Sequence, residues 1–278
     1  MKPGRVTLLG FAALAYLLFA IAAKNLSSSP MRVDEVPGSV VLPPQLQAVL
    51  YLGDRYLAAN IESTRVLATG GEGVLTDYYH RLHQAVSLLN PCHEDNYYIA
   101  NALLAWAGGV DPAIGILREA TRCRFWDEVP PFFLGYNLYF FKRQYAEARA
   151  FLFLAADRST ENRLGFQKMG IMFEAEAYPD VGAARRFLAL QLQQARDAKL
   201  REMLTLRIGR LDGLITLREA QTAFEKGTGR KLEDPHDLLR CGILKQFPSD
   251  PMRLGYEFGN GQFSLKEITV RGIVGRPK

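Results

Sequence analysis

Phe132-Phe133-Leu134-Gly135-Tyr136-Asn137-Leu138-Tyr139-Phe140-Phe141, a short polar turn, then Tyr145-Ala146-Glu147-Ala148 and on to Ala155 is the stretch from which the fold is read. Its residues recur along the chain at a fixed step. Leu82, Leu117, Leu152 and Phe187 stand 35 residues apart. Ala85, Ala120 and Ala155 keep the same step, with Leu190 continuing it, and so do Ala113, Ala148 and Ala183. Ala100, Gly135 and Gly170 form another column, as do Leu103, Leu138 and Phe173. A period of this length, with small residues at set offsets, predicts stacked helix-turn-helix units. The small residues let paired helices approach closely, and the Leu and Phe positions fill the layer between hairpins.

The unit resembles a tetratricopeptide repeat. It has a Leu-Gly pair and an aromatic on the first helix, Tyr-x-x-Ala opening the second, and a second Ala seven residues on. It departs from the family pattern in three ways. Leu134 to Tyr145 is one residue longer, the usual Trp of the first helix is replaced nearby by Tyr97 and Phe132, and the turn Pro survives once, as Pro91. The segment Gly53-Asp54-Arg55-Tyr56-Leu57-Ala58-Ala59-Asn60-Ile61 looks like the opening of bacterial membrane-anchored members. The resemblance covers Gln45 to Lys226 and implies an all-α solenoid of helical hairpins. The family consists mostly of scaffolds, and a fold alone does not assign a function.

Lys2 and Arg5 precede an uncharged run, Val6 to Ala23. Its length is at the lower bound for a spanning helix, and Ala20-Ile21-Ala22 offers a cleavage site, so an uncleaved anchor and a cleaved signal both remain open, with the anchor preferred. Either way the positive flank places the rest outside the cytoplasm, and the preferred anchor reading holds it at the cytoplasmic membrane. The expected divisions are residues 1–24 as anchor, 25–44 as tether, 45–227 as tetratricopeptide-like repeats, and 228–278 as a small cap with a β-hairpin around Gly259-Asn260-Gly261 and a basic tail. Within the repeats, one long helix is expected over Gln45–Ala68, and a last degenerate hairpin from Asp197–Ile208 and Leu214–Lys226.

The chain of 278 residues carries a net charge of +5, but its basic residues are spread thinly among acids, which argues against a nucleic-acid partner. His80 and His83 lie one helical turn apart on a face expected to be exposed, near Cys92, His93 and Glu94, yet no metal-ligand motif fits them. No nucleophile-elbow or triad order is visible, and no cofactor, metal or catalytic residue is expected.

Aromatic density is the informative chemistry. Tyr97, Tyr98, Phe132, Phe133, Tyr136, Tyr139, Phe140 and Phe141 fall on first helices, which line the concave side of such stacks. Some must pack between helices; the rest would give a partner groove an apolar floor. Asn101, Tyr136, Tyr139 and Glu174 are expected on its exposed side. Cys92 and Cys123 lie on one edge of the stack, 31 residues apart, and the spacing leaves open whether they bond or stay as thiols. The function expected is a membrane-tethered scaffold or assembly factor that binds another envelope protein. A permanent accessory subunit of a membrane enzyme or of a secretion or pilus complex, and an envelope enzyme with a scattered site, are the alternatives.

Overall fold

The computed structural model describes residues 14–18, 21, 40–69 and 76–266. The chain divides into two compact units, residues 1–42 and 43–278. In the first, Leu14–Leu18 is helical and exposed. The rest of the apolar run, the tether and the basic tail lie almost wholly outside the described residues, as do residues 70–75. No helix among the described residues is long and apolar enough to cross a membrane.

The second unit is mostly helical. It comprises α1 Pro44–Leu50, α2 Arg55–Thr69, α3 Thr76–Leu89, α4 Glu94–Ile99 continuing through a π turn Ala100–Leu104, α5 Val110–Cys123, α6 Val129–Phe140, α7 Tyr145–Arg158, α8 Arg163–Ala175, α9 Val181–Gln194, α10 Ala198–Thr228, α11 Asp237–Arg240, and strands β1 Tyr256–Gly259 and β2 Gln262–Leu265. From α2 to α10 each helix packs on the next in sequence, with further contacts between α3 and α5 and between α6 and α8.

The periodic columns are the core. Leu82, Leu117 and Leu152 are fully buried, and Phe187 nearly so. Leu152 of α7 lies between two glycines of neighbouring helices. A Cβ at Gly135 of α6 would sit 2.9 Å from the carbonyl oxygen of Ala148 and 3.0 Å from Leu152 Cγ. A Cβ at Gly170 of α8 would sit 3.3 Å from Leu152 Cβ and 3.2 Å from the Phe153 ring. Ala100 takes the equivalent place in α4 with no exposed surface.

One column breaks. Leu103 is half exposed, while Leu104 beside it is fully buried. The cause is the π turn: the amide of Ala105 donates to the carbonyl of Ala100 at 3.1 Å, five residues back. The extra residue in that turn rotates Leu103 outward and brings Leu104 into the layer.

Two expected helices are corrected. Gln45–Ala68 is not one helix: Leu52 and Gly53 adopt positive φ of 56° and 89° and end α1. Asp54 then caps α2, its Oδ1 accepting from the amides of Tyr56 and Leu57 at 3.0 Å each. At the other end, the fifth hairpin is absent, because α10 runs unbroken for 31 residues through Gly209 and Gly213. Those glycines serve close approach rather than a turn. A Cβ at Gly209 would sit 3.2 Å from Pro251 Cγ, and one at Gly213 would collide with the Tyr256 hydroxyl.

Between these glycines Arg210 is buried and fastens the C-terminal segment. Its Nε donates to Asp250 Oδ2 at 2.9 Å, and its Nη2 donates to the carbonyls of Gly255 at 3.2 Å and Lys266 at 2.7 Å. Burial would raise the Asp250 carboxyl, but the amides of Met252 and Gly255 together with Arg210 outweigh it and hold its pKa below the usual range. Further along α10, Arg218 donates to Phe263 O and Gln221 to Gly261 O. The strands pair antiparallel, with Phe258 opposite Phe263 and Gly259 opposite Gln262. Asn260 and Gly261, both at positive φ, make the tight turn. Phe263 closes over Leu214, Leu217, Phe224, Leu232 and Leu238.

Asp250→Ala leaves the Arg210 guanidinium buried without its counter-ion. The expected loss of stability is roughly 3–5 kcal/mol, read by urea denaturation; a loss under about 1 kcal/mol, the scale of an exposed pair, would refute this account of the strap.

Candidate functional site

The first helices α4, α6 and α8 carry a connected set of aromatic rings. Tyr98 meets Phe133 edge-on at 5.3 Å, Phe133 meets Phe132 at 5.4 Å, and Phe132 meets Phe166 at 5.2 Å. Between them opens a cavity of about 430 Å³, walled by Tyr98, Val129, Phe132, Phe133, Phe166 and Met169, with Glu128 and Asn162 as its polar members. A second cluster lies at the other end of the same helices. Trp106, 58% exposed, meets Phe140 at 5.3 Å and Phe141 at 5.2 Å, and Tyr136 stacks on Phe140 at 5.7 Å. Aromatic faces left open in this way are the anchors that protein interfaces use.

The four residues expected on the partner surface separate. Asn101 is half-buried in the π turn, and Tyr136 is half-buried within the second aromatic cluster. Tyr139 is corrected: it is 3% exposed, stacked face-to-face on Phe173 of α8 at 3.4 Å, and its hydroxyl donates to the Glu176 carboxylate at 2.8 Å. It belongs to the packing between α6 and α8. Glu174 is corrected too. Its side chain is largely covered, and it pairs with Arg149 of α7 at 3.0 Å, so it joins α8 to α7 instead of facing a ligand.

His83 is corrected as well, being buried rather than on an exposed face. Its Nδ1 lies 2.7 Å from Asn96 Oδ1, and Asn96 Nδ2 donates to the His83 carbonyl at 3.2 Å. Burial pushes the imidazole down to about 4, with Asn96 opposing the shift, so the ring is neutral at physiological pH. His93 Nε2 lies 3.0 Å from Asn60 Oδ1, Glu94 pairs with Arg124, and Cys92 is in a disulfide. Among the described residues no group of three metal-ligating side chains converges.

Cys92, just after α3, is bonded to Cys123, the last residue of α5, with Cα atoms 5.3 Å apart. The offset from the 35-residue period brings the loop cysteine back over the neighbouring helix end. On the chain-entropy model such a closure contributes roughly 2–4 kcal/mol. Two arginines reinforce the same edge. Arg124 donates to Cys92 O at 3.3 Å, and Arg158 of the next hairpin donates to Thr121 O, Arg124 O and Asp127 O at 3.0–3.1 Å. Arg158 thereby caps the C-terminal carbonyls of α5. The loop so fastened holds Phe125 and Trp126 outward, 71% and 56% exposed.

Sequence reading missed Trp106, Phe166, Phe125 and Trp126. The Phe125-Trp126 pair had a signal: two large aromatics in a loop between charged residues fit no helical column. Comparison with protein-family models, with curated proteins and with solved structures returns no match.

Tyr139→Ala is expected to cost roughly 3–5 kcal/mol, as for other buried aromatics cut to Ala, whereas Tyr136→Ala is expected to cost clearly less. Thermal or urea melts of the two variants check this, and equal losses would contradict the division between packing and surface.

Proposed function

We propose that the protein is a scaffold or assembly factor of the cell envelope. In this reading it is a tetratricopeptide-like array, tethered by the Val6–Ala23 run at the cytoplasmic membrane with the bulk of the chain extracytoplasmic, and it grips a segment of another envelope protein. The observation that carries the reading is the open row of aromatics on α4, α6 and α8 around the cavity at Tyr98, Phe133 and Phe166. A preformed apolar slot with few polar groups suits a peptide segment that inserts apolar side chains and leaves its polar backbone to the edges. The disulfide supports an oxidising compartment, where such bonds persist. No cofactor and no nucleic acid enter the reading.

The test is site-specific photo-crosslinking in cells. A crosslinker at Tyr98 or Phe133 is expected to give one discrete protein adduct, and one at Ala150, exposed on α7, none. The captured segment, made as a peptide, is then expected to bind the full chain and to lose about tenfold or more in affinity, or about 1.4 kcal/mol, with Phe133→Ala. No adduct, or equal adducts from all three positions, overturns the reading. A fixed ratio through detergent extraction would make the protein a permanent subunit instead.

A further inference from the structure

A second cavity of about 430 Å³ lies away from the aromatic row, where α7, α8 and the junction of α9 with α10 meet. Its chemistry is the opposite of the first. Three arginines line it, Arg149, Arg163 and Arg196, against a single acidic residue, Asp197. Asp197 is already committed, its Oδ1 accepting the amide of Leu200 at 2.8 Å as the cap of α10.

Arg149 is held in the wall. It bridges to Glu174 at 3.0 Å and donates to Gln191 Oε1 at 2.9 Å, and its guanidinium carbon lies over Phe153, 4.7 Å from the ring centroid. Its Nε is buried with no acceptor. Arg163 and Arg196 are exposed and have no ion-pair or hydrogen-bond partner among the described residues. Both occupy positions that helix electrostatics disfavour. Arg163 is the first residue of α8, and Arg196 immediately precedes the N-cap of α10. A cation at the positive end of a helix is unfavourable, and here two such cations line one cavity. An anion placed between them relieves both conflicts and receives the helix ends' own positive field.

The remaining lining fits an oxygen-rich ligand. Gln167, Gln191 and Gln194 supply amides; because Gln191 uses its oxygen for Arg149, its NH₂ is left to donate. Guanidinium groups recognise phosphate and carboxylate oxygens in paired hydrogen bonds, which suits them to this task better than lysine. Phe153, Ile171 and Leu200 give the cavity an apolar side.

We propose that this cleft is an oxyanion-binding site for a compact, multiply charged group, a phosphorylated small molecule or clustered carboxylates of an acidic segment. The two sources share the chemistry and differ in the probe that reveals them. Calorimetric titration of the full-length chain at near-physiological salt, with pyrophosphate in one arm and a tetraglutamate peptide in the other, is expected to give saturable binding in at least one. Pyrophosphate alone assigns the phosphorylated source, and the peptide alone the acidic segment. Arg163→Gln combined with Arg196→Gln is expected to weaken that binding at least tenfold with a melting temperature equal to or slightly above the parent's, and Arg122→Gln, on the surface of α5, to leave it unaltered. No saturable heat in either arm overturns the proposal. So does a double variant that binds as tightly as the parent, or an equal loss with Arg122→Gln.

Discussion

Three consecutive helices meet at one point in the core, with Leu152 of α7 held between Gly135 of α6 and Gly170 of α8. A side chain at either glycine would reach the neighbouring helix at 2.9–3.3 Å, so the helix spacing there is set by the absence of one atom. Ala100 fills the equivalent place in α4 without exposed surface, and Leu82, Leu117 and Phe187 fill the places equivalent to Leu152, so small residues at this column bring the helices of successive hairpins into register. First helices then lie beside first helices, and their rings connect across repeats. Second helices come edge to edge, which allows the bond between Cys92 and Cys123 and lets Arg158 reach back to the carbonyls of α5. The surface chemistry thus follows from the packing rule, with the aromatic row on one set of helices and polar fastening on the other.

A run of hairpins that pack only on their neighbours leaves an unsatisfied apolar layer at its end. Here α10 and the C-terminal segment cover it. The Gly209 and Gly213 positions admit Pro251 and Tyr256 to the helix backbone, and Arg210 between them spends its donors on Asp250, Gly255 and Lys266. A buried ion pair of this kind adds less net stability than its geometry suggests, since both charges lose water. Its effect is to help specify one register for the segment, together with the bonds from Arg218 and Gln221 and the burial of Phe263.

The hairpins and the final β-turn were legible because periodic burial and turn chemistry are local signals. Leu82, Leu117 and Leu152 had to share an environment, and Asn260-Gly261 between two alternating stretches had to turn. What was lost depended on events that period cannot register. The π turn at Ala100–Leu104 adds one residue to one turn and exchanges Leu103 for Leu104 without changing the composition. Glycine has two opposite uses: Gly53 breaks a helix at positive φ, while Gly209 and Gly213 sit inside one to admit another chain segment. Tyr139 and Glu174 each lie four residues beyond a small residue of the column, Gly135 and Gly170. That offset fixes a direction around the helix but not what the adjacent helix, carrying Phe173 and Arg149, puts there. The basic cleft draws on residues from Arg149 to Leu200 in four helices, so no short motif announced it.

The central claim is that close backbone approach at the columns of small residues, rather than helix propensity, sets the packing. One substitution type at two sites tests it most directly. Gly115, exposed in α5, where an added Cβ would meet nothing within 4 Å, and Gly135, in α6, are both changed to Ala and unfolded in urea. Gly115→Ala is predicted to stabilise by about 0.5–1 kcal/mol, and Gly135→Ala to destabilise by roughly 1–3 kcal/mol through overpacking against Ala148 and Leu152. Stabilisation at both sites would contradict the account.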